Sequence, residues 1–260
     1  MKRQFHHVCR NLYLALLIVS LLLLPFNAIA SKGEDAEATV IFQHTEITDI
    51  ETLAHRAFDR VSDIDADQHI QFQHNLHNEN CDIPVNVYST SQLLKKELYS
   101  DGTIVSSMAT TFISFIDNET LLGESLRANG TNSKEKWDSS IGVKTYLTVY
   151  YKSTENTQGQ EGFYINKVTG GWTITDSTLA VTNKKYSYAS NGQNLNGPPN
   201  YISSQINSDV SVTGWSFSKN TGFSYYINSE AGMYYVQAST DCMISRGGSS
   251  WSLNLMVKVQ

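Results

Sequence analysis

The chain has 260 residues, a formal net charge of −6, 40% hydrophobic and 11% aromatic residues, and only four prolines. From residue 83 onward thirteen acids meet thirteen bases, so the larger part carries no concentrated basic surface and nucleic acid is excluded as a partner. Tyr, Ser, Thr, Asn and Gly are plentiful, as in antiparallel sheets and their turns and unlike long helices.

Residues 1–30 read as an export signal. Lys2, Arg3 and Arg10 form a positive head, residues 12–24 are almost unbroken aliphatic, and Ala28-Ile29-Ala30 places small residues at the cleavage position. The apolar run is shorter than the ~20 residues that cross a bilayer core. The expected product therefore starts near Ser31 and is secreted, and its 230 residues can bury a core without help from a metal.

Residues 31–82 differ in composition from residues 83–260. Twelve acids face Lys32, Arg56 and Arg60, and His44, His55, His69, His74 and His77 all fall here, whereas Trp137, Trp172, Trp215 and Trp251 all lie later. This asymmetry predicts two units: an acidic, His-bearing N-terminal arm over 31–82 and a β-sandwich domain over 83–260. The arm reads as a pH-responsive segment or a propeptide, because histidines among carboxylates gain charge as pH falls. Within it, Ile50, Leu53, Ala54, Ala57, Phe58 and Val61 form one apolar stripe at helical spacing, predicting a helix over about 49–61. Thr48 and Glu51 suit a capping box at its start. Residues 62–82 read as a polar linker.

Past Pro84 the period becomes two. Segments 92–99 and 103–116 predict a hairpin turning at Ser100-Asp101-Gly102, followed by a polar loop over 118–140. Residues 143–151 alternate strictly. Segments 163–168 and 172–175 predict a second hairpin, turning at Gly170-Gly171. Strands are expected over 179–182 and 184–188, a break over 190–200, then strands over 210–218, 223–227 and 233–244. After the turn Arg246-Gly247-Gly248, residues Trp251, Leu253, Leu255, Val257 and Val259 alternate with Ser252, Asn254, Met256 and Lys258. Nine or ten strands at short spacing predict an all-β fold, an antiparallel β-sandwich with a β-barrel as the alternative.

Sites are sparse. Gly247-Gly248-Ser249-Ser250 does not complete a nucleophile elbow, and the β part holds no histidine, so no catalytic residue is assigned. Glu97, Glu161, Asp176 and Glu230 are available acids, with nothing to pair any two for glycoside cleavage. Asp63, Asp65 and Asp67 place carboxylates on alternate residues, as calcium loops begin. Gln68 stands where the sharp turn needs glycine and His74 where a bidentate glutamate belongs, so a solvated acidic linker is the better reading. His74 and His77 with His69 or Cys81 lack a zinc-site spacing, and no cofactor is expected. Cys81 and Cys242 form an even pair in an exported chain, the pattern of a disulfide.

The aromatic residues remain. Pairs such as Tyr150-Tyr151, Tyr225-Tyr226 and Tyr234-Tyr235 send one ring to each face of a strand. Trp172, Trp215, Tyr226 and Tyr234 are the candidate ligand-contacting residues. The expected function is a secreted β-sandwich that binds a surface glycan or protein. The alternative is a membrane-acting effector in which 103–116 and 143–151, each near the ~9–11 residues of a barrel strand, form a pore hairpin. A carboxylate-dependent hydrolase comes third.

Overall fold

The computed structural model describes residues 38–64, 70–78, 81–83, 85–117, 141–198, 201–232 and 234–259. The predicted signal and the 118–140 loop lie outside them. Thirteen strands and one helix follow in the order β1 (Thr39–Gln43), α1 (Ile50–Phe58), β2 (Ile70–Asn78), β3 (Cys81–Ile83), β4 (Val87–Leu98), β5 (Ile104–Asp117), β6 (Ile141–Glu155), β7 (Glu161–Ile174), β8 (Ala180–Gln193), β9 (Ile202–Ser211), β10 (Ser216–Asn220), β11 (Ile227–Asn228), β12 (Tyr235–Arg246) and β13 (Ser249–Val259).

The strands form two antiparallel sheets, which we call A and B. Sheet A runs β1-β4-β5-β6-β7-β10, with β11 also paired to β7; sheet B runs β3-β2-β13-β12-β8-β9. The sandwich expected from the sequence is therefore the fold, and among the described residues the sheets do not close into a barrel. Apolar alternation explains the packing. Met108, Phe112, Leu147, Val149, Tyr151, Phe163 and Ile165 of sheet A meet Val236, Ala238, Leu255, Val257 and Val259 of sheet B. Toward the other end, Ile116, Val143 and Trp172 meet Leu76, Val181, Ile244, Trp251 and Leu253.

Three expectations need correction. The described residues between 38 and 83 are not an arm beside the sandwich: β1 extends sheet A, and β2 with β3 extends sheet B. β2 pairs with β13 from Ile70↔Val259 to Leu76↔Leu253, placing Ile70 and Leu76 in the core. Only Phe72 between them is a strand former; the Gln, His and Asn around it hid the strand, because they lack strand propensity on their own. The acidic charge is used locally. Glu51 pairs with Lys144 of β6, Tyr150 donates to Glu46 at 2.6 Å, and Asp63 pairs with Arg56 at 2.7 Å.

The second correction concerns Gly170-Gly171, which lie within the continuous strand β7 and make no turn. A Cβ at Gly170 would stand 2.7 Å from the Phe217 ring, and one at Gly171 would stand 2.7 Å from the Trp215 carbonyl oxygen. The glycines permit β10 and the Tyr146 ring to lie directly on the β7 backbone. The expected break over 190–200 is likewise shorter than predicted, since β8 continues to Gln193.

The third correction is the disulfide. Cys242 lies on β12, and β13 and β2 separate β12 from β3, which carries Cys81. Three strand spacings of about 4.8 Å put the backbones far beyond the roughly 7 Å that a disulfide spans. Cys242 is a buried free thiol, pushed up to about 12 mainly by burial and further by Asp241.

Helix α1 covers part of the outer face of sheet A. Leu53, Ala54 and Ala57 pack on Ile113, and Phe58 stacks on Tyr88 at 4.7 Å. The cap is Asp49, not the expected Thr48: its carboxylate accepts the Thr52 amide at 2.8 Å and the Thr52 hydroxyl at 2.6 Å. Buried Gln92 accepts from Ile47 N–H and donates to Ile47 C=O, and Thr90 donates to Val61 C=O, so β4 holds the chain on both sides of the helix.

These caps titrate. Hydrogen bonds from Thr52 hold Asp49 below its ordinary 3.8. Backbone and side-chain bonds from Thr178, then Arg246, do the same for Asp176. A depressed folded pKa contributes stability that is complete above the unfolded value and lost as pH falls through the folded one. Thermal stability is therefore expected to drop below about pH 4, and Asp49→Asn, a good neutral cap, should flatten part of that drop. Melting curves at stepwise pH check it; an identical acid profile in Asp49→Asn would contradict the assignment.

Candidate functional site

The two outer faces of the sandwich differ. α1 lies on sheet A, whereas the outer face of sheet B carries no helix among the described residues. Register sets out the open face in rows. One row crosses five strands as Gln71, Lys258, Gln237, Ala189 and Ile206. The next holds Gln73, Met256, Ser239 and Ser187, and a third passes through Asn254, Asp241 and Lys185. Four strand spacings make the first row about 19 Å across.

Two depressions lie along these rows. One, of about 390 Å³, is lined by Gln71, Gln73, Gln237, Met256 and Lys258 among others. The other, of about 150 Å³, is lined by Ser187, Ala189, Ile206, Tyr235, Gln237 and Ser239 among others. Gln237 belongs to both and joins them into one trough. Small Ala189 forms part of its lining. Tyr235 accepts from Asn191 at 2.9 Å at the margin.

The lining is mostly uncharged. Glutamine amides each present two donors and an acceptor, serines do both, and Met256 and Ile206 add apolar surface. Lys258 lies over the Tyr234 ring at 4.8 Å. The charged margin is Asp241, which accepts from Asn254 and whose carboxyl burial raises above the ordinary range. Lys185 beside it is 3.7 Å from Asp209.

The four aromatic candidates are not brought together. Trp172 is 2% exposed and sits between the sheets. Trp215 is exposed before β10, with Lys184 over its ring at 4.0 Å. Tyr226 packs edge-on against Tyr164, an outward residue of sheet A. Only Tyr234 adjoins the trough, through Lys258. Asp65 and Asp67 lie outside the described residues, while Asp63 is held by Arg56. No group of three metal-ligating side chains occurs among the described residues. Of the four acids, Glu97 pairs with Lys95 and Asp176 with Arg246, while Glu161 and Asp176 bracket opposite ends of β7.

Sequence reasoning missed Gln71, Gln73 and Gln237. Its only available signal was the polar half of the alternation in β13, where Ser252, Asn254, Met256 and Lys258 had to face something other than the core. No family model matches the chain, and no curated protein and no solved structure matches it.

Proposed function

We propose that the chain is an exported binding protein that takes a neutral glycan across the outer face of sheet B. The supporting observation is the trough joined at Gln237: a five-strand-wide surface, with no helix over it among the described residues, lined by amides, hydroxyls and apolar side chains that include Phe72, Met256 and Ile206. Amides that both donate and accept suit the hydroxyls of a sugar chain, and Met256 and Ile206 suit its C–H faces. A length of about 19 Å accommodates several sugar units. A pore hairpin made from β5 and β6 has less support. Both strands are paired on either side, β5 between β4 and β6 and β6 between β5 and β7, so extraction of the hairpin would break the β4–β5 and β6–β7 ladders.

Affinity electrophoresis through gels containing neutral polysaccharides tests the reading. Retardation is expected, with little dependence on salt. Gln237→Ala should weaken it about tenfold, as loss of a hydrogen-bonding group does, and Gln71→Ala with Gln237→Ala should weaken it further. Migration unaffected by every neutral polysaccharide, or unchanged in the double variant, would remove the basis for this site.

A further inference from the structure

The outer face of sheet A holds a second group of side chains where α1 does not reach. On β6 and β7 the register places Tyr150 opposite Lys167 and Lys152 opposite Tyr164. Two rings and two amines thus alternate at four neighbouring positions, on either side of the bulge between Tyr150 and Tyr151. Tyr226 meets Tyr164 edge-to-face, with ring centroids 4.8 Å apart and planes at 80°.

The amines are unequally committed. The Lys167 amine lies 4.4 Å from the Tyr150 ring centre, and the Tyr150 hydroxyl donates to Glu46 at 2.6 Å. Lys95, in the same row as Lys152, is bound to Glu97 at 2.6 Å. Among the described residues Lys152 has no carboxylate partner, and neither has Lys167. Three lysines therefore face two acids, giving a cationic patch on a chain whose net charge is −6. Among the described residues the Tyr164 and Tyr226 rings carry no lysine, unlike Tyr150, Trp215 and Tyr234, each of which has one over its face, and the nearby charge of Glu97 is the one already bound to Lys95.

We propose that Lys152, Lys167, Tyr164 and Tyr226 form a separate binding site for an acidic glycan, one bearing uronate carboxylates or sulfates. A sugar C–H face would lie on the half-exposed Tyr164–Tyr226 pair, with the acidic groups of neighbouring units on the two ammonium groups. An anionic membrane is the weaker match, because the patch itself offers two tyrosines, while the exposed aliphatic side chains of sheet A, such as Val40, Leu98 and Ile104, lie on β1, β4 and β5 and not on β6 or β7. This site is on the opposite sheet from the trough and does not depend on it.

Affinity electrophoresis with polygalacturonate as the probe, and dextran as its neutral control, tests the proposal. Polygalacturonate should retard the protein more than dextran, and added salt should weaken that effect. Lys152→Gln with Lys167→Gln should weaken it roughly a hundredfold, about tenfold for each charged hydrogen bond. Tyr226→Phe should bind as the parent does, whereas Tyr226→Leu should lose about tenfold. Thermal unfolding of each variant confirms its fold. Gln237→Ala should leave polygalacturonate binding unchanged, which separates this site from the trough. The proposal is overturned by any of three results: no retardation, retention of full binding in the double lysine variant, or equal binding to phosphatidylglycerol vesicles.

Discussion

A chain beginning at residue 84 is expected to fail as a folded monomer, whereas one beginning at Ser31 should fold. The composition of 31–82 invites the opposite expectation, that of a dispensable acidic segment. Its deletion would remove β2 from β13 along the ladder from Ser252 to Val259, leaving that strand as a long apolar edge. It would also take Ile70 and Leu76 out of the two core clusters and Leu53, Ala54 and Ala57 off Ile113. Losing a buried Leu or Ile costs about 2–5 kcal/mol each. Those two alone approach the roughly 5–15 kcal/mol that stabilises a whole domain. Lys144 would lose Glu51 as well, leaving a largely buried amine without that partner. Size-exclusion chromatography and near-UV circular dichroism of the two chains decide the matter. A soluble, cooperatively unfolding monomer from residue 84 onward would restore the separable arm.

The same segment shows how much a single sequence displays. Strand β13 was legible to its ends, because one face is solely apolar and the other polar except at Met256, and the structure buries the first set. The β4–β5 hairpin was legible too: Asp101 caps Thr103 N–H, and Gly102 takes the positive φ that the turn requires. β2 was not legible, since the alternation of Ile70, Phe72 and Leu76 is interrupted at His74 and strand identity there comes from pairing with β13. Gly170-Gly171 misled because glycine serves both turns and close packing, and only the position of Phe217 and Trp215 distinguishes the two. For the site, alternation could show that Gln237 faces outward. It could not show that β2, β13, β12, β8 and β9 would place Gln71, Lys258, Gln237, Ala189 and Ile206 in one row. That row is a property of strand order, which local pattern does not contain.

Trp172 supplies the second large effect and separates two roles for one residue. As a displayed ligand platform, its replacement would abolish binding and leave stability alone. In the structure it lies between the sheets, 2% exposed, with its ring 6.0 Å from that of Phe217 and in the cluster that includes Ile116, Val143 and Ile244. Trp172→Ala should therefore cost about 3–5 kcal/mol and lower the melting temperature by roughly 10 °C or more. Trp172→Phe is the informative companion. Among the described residues the indole nitrogen meets only the weakly polar Cys242 thiol and no well-placed acceptor, so replacing it by an apolar ring removes a poorly satisfied buried polar group together with some volume. The two effects oppose, and Trp172→Phe should cost well under half as much as Trp172→Ala. Urea unfolding gives both values, and affinity electrophoresis of the folded Trp172→Phe protein should match the parent. Loss of glycan binding at parental stability would instead place Trp172 on the ligand and contradict its burial between the sheets.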